Sequence, residues 1–118
     1  MERENYRHLN QLLYYVSDIY RATKKFRFGE KDLLGKRIRR TAINISASMN
    51  NIEPQKSEMI KYTDIYPILS AVSVLETYLL IAREHKLLKD TSILNEKLDE
   101  VKDILYKYMD NDDDDDKV

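Results

Sequence analysis

The stretch Lys36-Arg37-Ile38-Arg39-Arg40-Thr41-Ala42-Ile43-Asn44-Ile45-Ser46-Ala47-Ser48-Met49 decides how this chain folds. It contains neither glycine nor proline, and Ile38, Ala42, Ile45 and Met49 recur at steps of four, three and four, the spacing of one α-helical face. Large and small side chains alternate along that face, which lets a neighbouring helix approach closely. Four cations open the segment, so it offers a charged surface and a packing surface together.

Working outward, the pattern predicts a helix from about Glu30 to Asn51, with Leu34, Ile38, Thr41/Ala42, Ile45, Met49 and Ile52 inward. Pro54 disfavours helical backbone at Glu53 and supplies the stop. Upstream, Tyr6, Leu9, Leu12, Leu13, Val16, Ile19 and Tyr20 mark a first helix over Asn5 to Lys25. Phe26-Arg27-Phe28-Gly29 then breaks the pattern, with Gly29 as terminator and two phenylalanines available to cover a bundle end. Downstream, Ser57 is the candidate N-cap of a third helix reaching His85, with Ile60, Tyr62/Thr63, Tyr66, Leu69, Val72, Leu75, Leu79 and Ala82 on one face. Pro67 interrupts it, and the apolar register continuing through the proline favours a bend near Thr63 over two shorter helices. A fourth helix follows the Leu87-Leu88-Lys89-Asp90 connection, capped by Ser92 or Thr91 and carrying Ile93/Leu94, Leu98, Val101, Ile104/Leu105 and Tyr108. Four amphipathic helices on short links predict an all-α fold, an antiparallel up-down-up-down four-helix bundle.

Composition agrees, since 42% apolar and 35% charged residues with only two Gly and two Pro favour few, long helices. A length of 118 residues predicts one domain over residues 1–109. Residues 110–118 carry six Asp and one Lys and are expected to be a disordered acidic tail, or a remnant of an added enteropeptidase-type tag. The absence of Cys excludes disulfides, thiolate zinc sites and thiol nucleophiles, and fits a reducing, cytoplasmic setting. No run reaches the roughly 20 apolar residues of a bilayer span, so the reading is a soluble chain without membrane contact.

Catalytic signatures are missing: no glycine-rich phosphate loop, no nucleophile elbow, no paired histidines, and neither His8 nor His85 completes a Glu-x-x-His pair. Glu96, Asp99, Glu100 and Asp103 share a face, but Lys97 and Lys102 flank them as on a solvated helix surface. The expectation is a non-enzymatic protein with no metal and no cofactor.

Charge is uneven. Residues 21–40 hold nine Lys/Arg against Glu30 and Asp32. Lys24, Lys25, Lys36, Arg37, Arg39 and Arg40 are the candidate nucleic-acid-binding residues, because clustered cations gain affinity for RNA or DNA by counterion release and Arg adds bidentate phosphate contacts. The competing reading is neutralisation of these cations by the acidic fourth helix. Tyr14, Tyr15, Ile43, Ile65, Ile68 and Val74 lie off the predicted stripes, a surplus of apolar surface that predicts a symmetric homo-oligomer.

Three segments, Ile19-Tyr20-Arg21-Ala22-Thr23-Lys24-Lys25-Phe26, Ile38 to Ile45, and Leu75-Glu76-Thr77-Tyr78-Leu79-Leu80-Ile81-Ala82-Arg83-Glu84, resemble the four-helix bundle proteins encoded in intervening sequences of bacterial 23S rRNA. Leu34-Gly35-Lys36-Arg37-Ile38 and Ile81-Ala82-Arg83-Glu84-His85-Lys86-Leu87-Leu88 are similar to the accessory variability determinant of diversity-generating retroelements in the same superfamily. The first branch implies a ring whose role is structural or protein-binding. The second implies a pentameric ring that binds nucleic acid and a reverse transcriptase. Ser48-Met49-Asn50-Asn51-Ile52 departs from the Asn-Ile-Ala-Glu-Gly of the first branch, and the chain lacks the Gly-Trp pair of the second.

Overall fold

The computed structural model describes residues 2–26, 29–52 and 60–116, and these form four α-helices: α1 (Glu2–Thr23), α2 (Glu30–Ile52), α3 (Tyr62–Glu84) and α4 (Ser92–Asp116). No strand occurs among the described residues. Helix α1 packs on α2, α2 on α3, α3 on α4, and α4 closes more lightly on α1, with no comparable diagonal packing among the described residues. The link between α1 and α2 is six residues, 24–29, and reaches at most about 21 Å, well short of the roughly 33 Å length of a 22-residue helix. Neighbours joined by such links must run antiparallel, and the fold is a four-helix bundle.

The core is one stripe from each helix: Leu12, Tyr15 and Ile19; Ile38, Ala42, Ile45, Met49 and Ile52; Ile65, Ile68, Val72, Leu75, Leu79 and Ala82; Leu98, Val101 and Leu105. Each fully buried Leu or Ile contributes about 1.5–3 kcal/mol by leaving water. The α2 stripe is the expected one. In α1 the stripe turns by a residue, with Tyr15 buried while Leu13 and Tyr20 are 58% and 47% exposed. In α3 the first half shifts likewise: Ile65 and Ile68 are buried, Tyr66 is exposed, and Leu69 is only partly covered. The observed α3 series steps by three and four throughout, which keeps one seam facing α2 and α4. Of the six residues expected off-stripe, Tyr15, Ile65 and Ile68 belong to the core, whereas Tyr14, Ile43 and Val74 are exposed.

Helix α3 begins at Tyr62, later than expected, and its N-cap is Lys61. Asp64 at the third helical position accepts the Lys61 backbone N–H at 2.9 Å, the half of a capping box that an ammonium side chain cannot reciprocate. Ile60 and Ile65, at the two positions of a hydrophobic staple, are both buried and fix the entry of the chain. One continuous helix runs through Pro67; only the Thr63 carbonyl loses its partner, and Thr63 is exposed. At the other end a Schellman motif closes α3. Leu87 N–H donates to Ala82 O at 2.8 Å and Lys86 N–H to Arg83 O at 3.0 Å, with Lys86 left-handed at φ 60°.

Helix α4 follows Thr91, whose carbonyl accepts the Asn95 N–H at 2.9 Å, and its helical backbone continues into the acidic run beyond residue 109. By length and composition α3 does meet the requirement of a bilayer span, with a mean hydropathy of 1.7, because between Ile65 and Ala82 its one charged residue is Glu76. The expected inner positions Tyr6 and Leu9, the histidine at His8, the break residues Arg27 and Phe28, the stop at Glu53-Pro54 and the cap Ser57 lie outside the described side chains.

Candidate nucleic-acid interface

The junction of α1 and α2 is built on two glycines and a phenylalanine. Gly29 was expected to terminate α1, yet α1 stops at Thr23 and Gly29, at φ +60°, directly precedes α2, its carbonyl accepting the Leu33 N–H at 3.3 Å. Phe26 is buried in the turn. It lies over Gly35, where an added Cβ would come within 3.2 Å of both Phe26 Cβ and Arg39 Nη1. Glycine at position 35 is what lets the turn sit down on α2.

That approach sets the place of Arg39. Its Nη1 donates to Thr23 Oγ1 at 2.8 Å, and its guanidinium carbon stands 5.5 Å from the centroid of the Tyr20 ring. The Thr23 hydroxyl in turn donates to the Ile19 carbonyl at 2.8 Å and is buried. Arg39 is therefore half-buried and tied to α1, and a guanidinium with one arm and one face engaged has fewer donors left for phosphate.

The other expected residues are exposed. Lys24 and Lys25 sit in the turn after α1; Lys36 and Arg40 lie on the side of α2 opposite its buried stripe, and Arg37 lies on a flank between them. Lys36 pairs with Asp32 at 3.3 Å, while Arg37 and Arg40 pair with no carboxylate among the described residues. Lys36, Arg39 and Arg40 join Tyr20 and Ile43 around a surface cleft of about 270 Å³.

A second basic group, not anticipated from sequence, reaches the same end of the bundle. A cleft of about 290 Å³ is lined by Lys31 and Leu34 of α2 together with Ile81, His85 and Leu87 at the close of α3. The α3–α4 connection thus brings Arg83, Lys86 and Lys89, all exposed, beside the start of α2. Their local anions are Glu84, which pairs with Arg83 at 3.8 Å, and Asp90, whose carboxyl is held below its ordinary value by the Ser92 backbone N–H at 2.9 Å and by the Ser92 hydroxyl. The signal available in sequence was topological: in an up-down bundle the first and third connections share an end.

The carboxylates of α4 go elsewhere. Glu100 pairs with Lys97 at 3.2 Å, and Lys102 bridges Asp99 at 3.2 Å and Glu76 of α3 at 3.1 Å. The Glu76 hydrogen bond, with Asp99 adding to it, raises the Lys102 ammonium above its ordinary pKa. No described ion pair joins α4 to residues 21–40. Among the described residues no group of three His, Cys, Asp or Glu side chains could hold a metal ion. No family model, curated protein or solved structure matches the chain.

Proposed function

We propose that this protein is a non-enzymatic nucleic-acid-binding bundle that engages the phosphate backbone of RNA through its basic end. The observation that carries the proposal is the convergence of Lys24, Lys25, Lys36, Arg37 and Arg40 with Arg83, Lys86 and Lys89 at one end of the bundle, all of them exposed. Cations held on rigid helices at helical spacing release counterions on meeting a polyanion, and exposed Arg adds bidentate contacts. A role as accessory factor, beside a reverse transcriptase or an RNA intervening sequence, is the part of the proposal that motif resemblance supplies.

The test is a gel shift or anisotropy titration with a structured RNA at about 100 mM salt, comparing the wild type with the double variant Arg37→Glu and Arg40→Glu. Arg39 is left intact because reversing it would break the α1–α2 tie. Binding should fall by at least tenfold with helicity unchanged, and the slope of log K against log salt should flatten. Equal affinity in the double variant would remove this surface from consideration.

A second reading is favoured by one specific observation, the outer side of α3. From Ile65 to Ile81 its exposed positions carry no charge, and Tyr66, Val74, Leu80 and Ile81 are 54%, 43%, 48% and 39% exposed. In this reading the chain works as a homo-oligomer, a pentameric ring by motif resemblance, and needs no nucleic acid. Sedimentation of the wild type against Val74→Glu separates the two: an assembly that dissociates in the variant while binding no RNA at any salt favours the ring alone.

A further inference from the structure

Tyr20 is the residue that the bundle treats most unexpectedly. Sequence periodicity puts it inside, yet it is 47% exposed on the flank of α1 that borders α2. It is not loose there. The Arg39 guanidinium stands over its ring at 5.5 Å, Arg39 is anchored to the Thr23 hydroxyl at 2.8 Å, and Thr23 is itself buried and bonded to Ile19. The ring is thus held by a cation that is held by the core. It forms one wall of the cleft of about 270 Å³ whose other walls are Lys36, Arg39, Arg40 and the side chain of Ile43, 42% exposed.

An aromatic ring beside two exposed cations is the arrangement that single-stranded nucleic acid uses: bases stack on the ring and phosphates meet the cations. A duplex cannot use it without extruding a base, since its base faces are already stacked on one another. We infer that Tyr20 is a stacking platform for one unpaired base, with Arg40 and Lys36 receiving the adjoining phosphates, so that the basic end selects single-stranded over double-stranded nucleic acid. This rests on the nucleic-acid reading above and adds to it a strand preference and a base contact. Arg39 acts through Tyr20 as a positioning residue.

The test uses fluorescence anisotropy of the full chain with a labelled 12-nucleotide oligouridylate and a duplex of equal length at 100 mM salt. The wild type should bind the single strand more tightly. Tyr20→Ala should lower single-strand affinity by about 5- to 150-fold, the range for loss of one stacked base, leaving duplex affinity and the salt slope unchanged because no charge is lost. Tyr20→Phe, which keeps the ring, should stay within about twofold. Arg40→Glu should weaken both substrates and flatten the salt slope, marking the phosphate contribution as separate. A photo-cross-link from 5-iodouridine in the same oligonucleotide, mapped on the wild type, should fall on Tyr20, and keeps the test decisive if the alanine variant fails to fold. Equal losses on single strand and duplex, or a cross-link mapped elsewhere, would overturn the platform while leaving backbone binding standing. Absence of any binding by the wild type would overturn both.

Discussion

Replacing Tyr15 by phenylalanine should make this protein more stable, against the usual direction of core substitutions. Tyr15 is 3% exposed, and its hydroxyl is buried with no hydrogen-bond partner. A buried hydroxyl that has given up water without gaining a partner costs about 1–3 kcal/mol. The ring, which supplies the packing, is retained in Tyr15→Phe, so a gain of about 1–2 kcal/mol is expected. For a chain of this size that is a rise of roughly 4–8 °C in Tm. The pH dependence sharpens the test. Burial first, then the negative charges of Glu76 and Asp18, push the Tyr15 hydroxyl far above its ordinary value of 10.0. Above pH 10 the unfolded chain therefore loses this proton while the folded one keeps it. The unfolded state then binds fewer protons, and stability falls with rising pH by up to about 1.4 kcal/mol per unit. Tyr15→Phe should remove that share of the alkaline loss and leave the curve below pH 9 parallel to the wild type. The assay is urea denaturation followed by circular dichroism between pH 7 and 11, with an unchanged m-value as the sign that the same surface unfolds. A variant less stable than the wild type by 0.5 kcal/mol or more at pH 7 (a difference this assay resolves) would refute the reasoning, because it would mean that the hydroxyl is bonded.

Three more substitutions probe the architecture by denaturant or thermal unfolding. Lys86→Gly should stabilise by about 0.5–1 kcal/mol, since Lys86 holds the left-handed position of a Schellman motif that glycine occupies without strain; a loss of stability would contradict this. Gly35→Ala should destabilise by about 1–3 kcal/mol despite alanine's better helix propensity, because the new Cβ crowds Phe26 and Arg39; a neutral result would mean that Phe26 is free to move aside. Lys102→Ala should cost about 0.5–1 kcal/mol by unpairing Glu76 across the α3–α4 seam, both partners being about one-third exposed. Because the ammonium is raised, its contribution is present below its ordinary value of 10.5 and lost as pH climbs above it, so wild type and variant should converge at high pH.

The helices and the α2 register were legible because Ile38, Ala42, Ile45 and Met49 leave a single apolar face to choose. Helices α1 and α3 offered two. Leu13 and Tyr20 compete with Tyr15, and Tyr66 and Leu69 compete with Ile65 and Ile68; period alone does not say which stripe meets a neighbour. Tyrosine adds to the ambiguity, since its ring suits the interior and its hydroxyl suits water. The six cations of the candidate site were visible as composition, but their division of labour was not. Arg39 differs from Arg40 through its α1 partners, Tyr20 and Thr23, the latter sixteen residues away. The cations Arg83, Lys86 and Lys89 stood some fifty residues from the site in sequence and joined it through topology.

Helix α4 leads away from the basic end, and over its 25 residues carries the chain about 37 Å to the six aspartates of residues 110–116. The fold is therefore an electric dipole, and its formal charge of −1 and pI near 6.1 describe neither pole. At physiological ionic strength, where the screening length is about 8 Å, the poles act independently; at about 10 mM, where it is near 30 Å, each feels the other. One column buffer near neutrality should let the same protein adhere to both cation and anion exchangers.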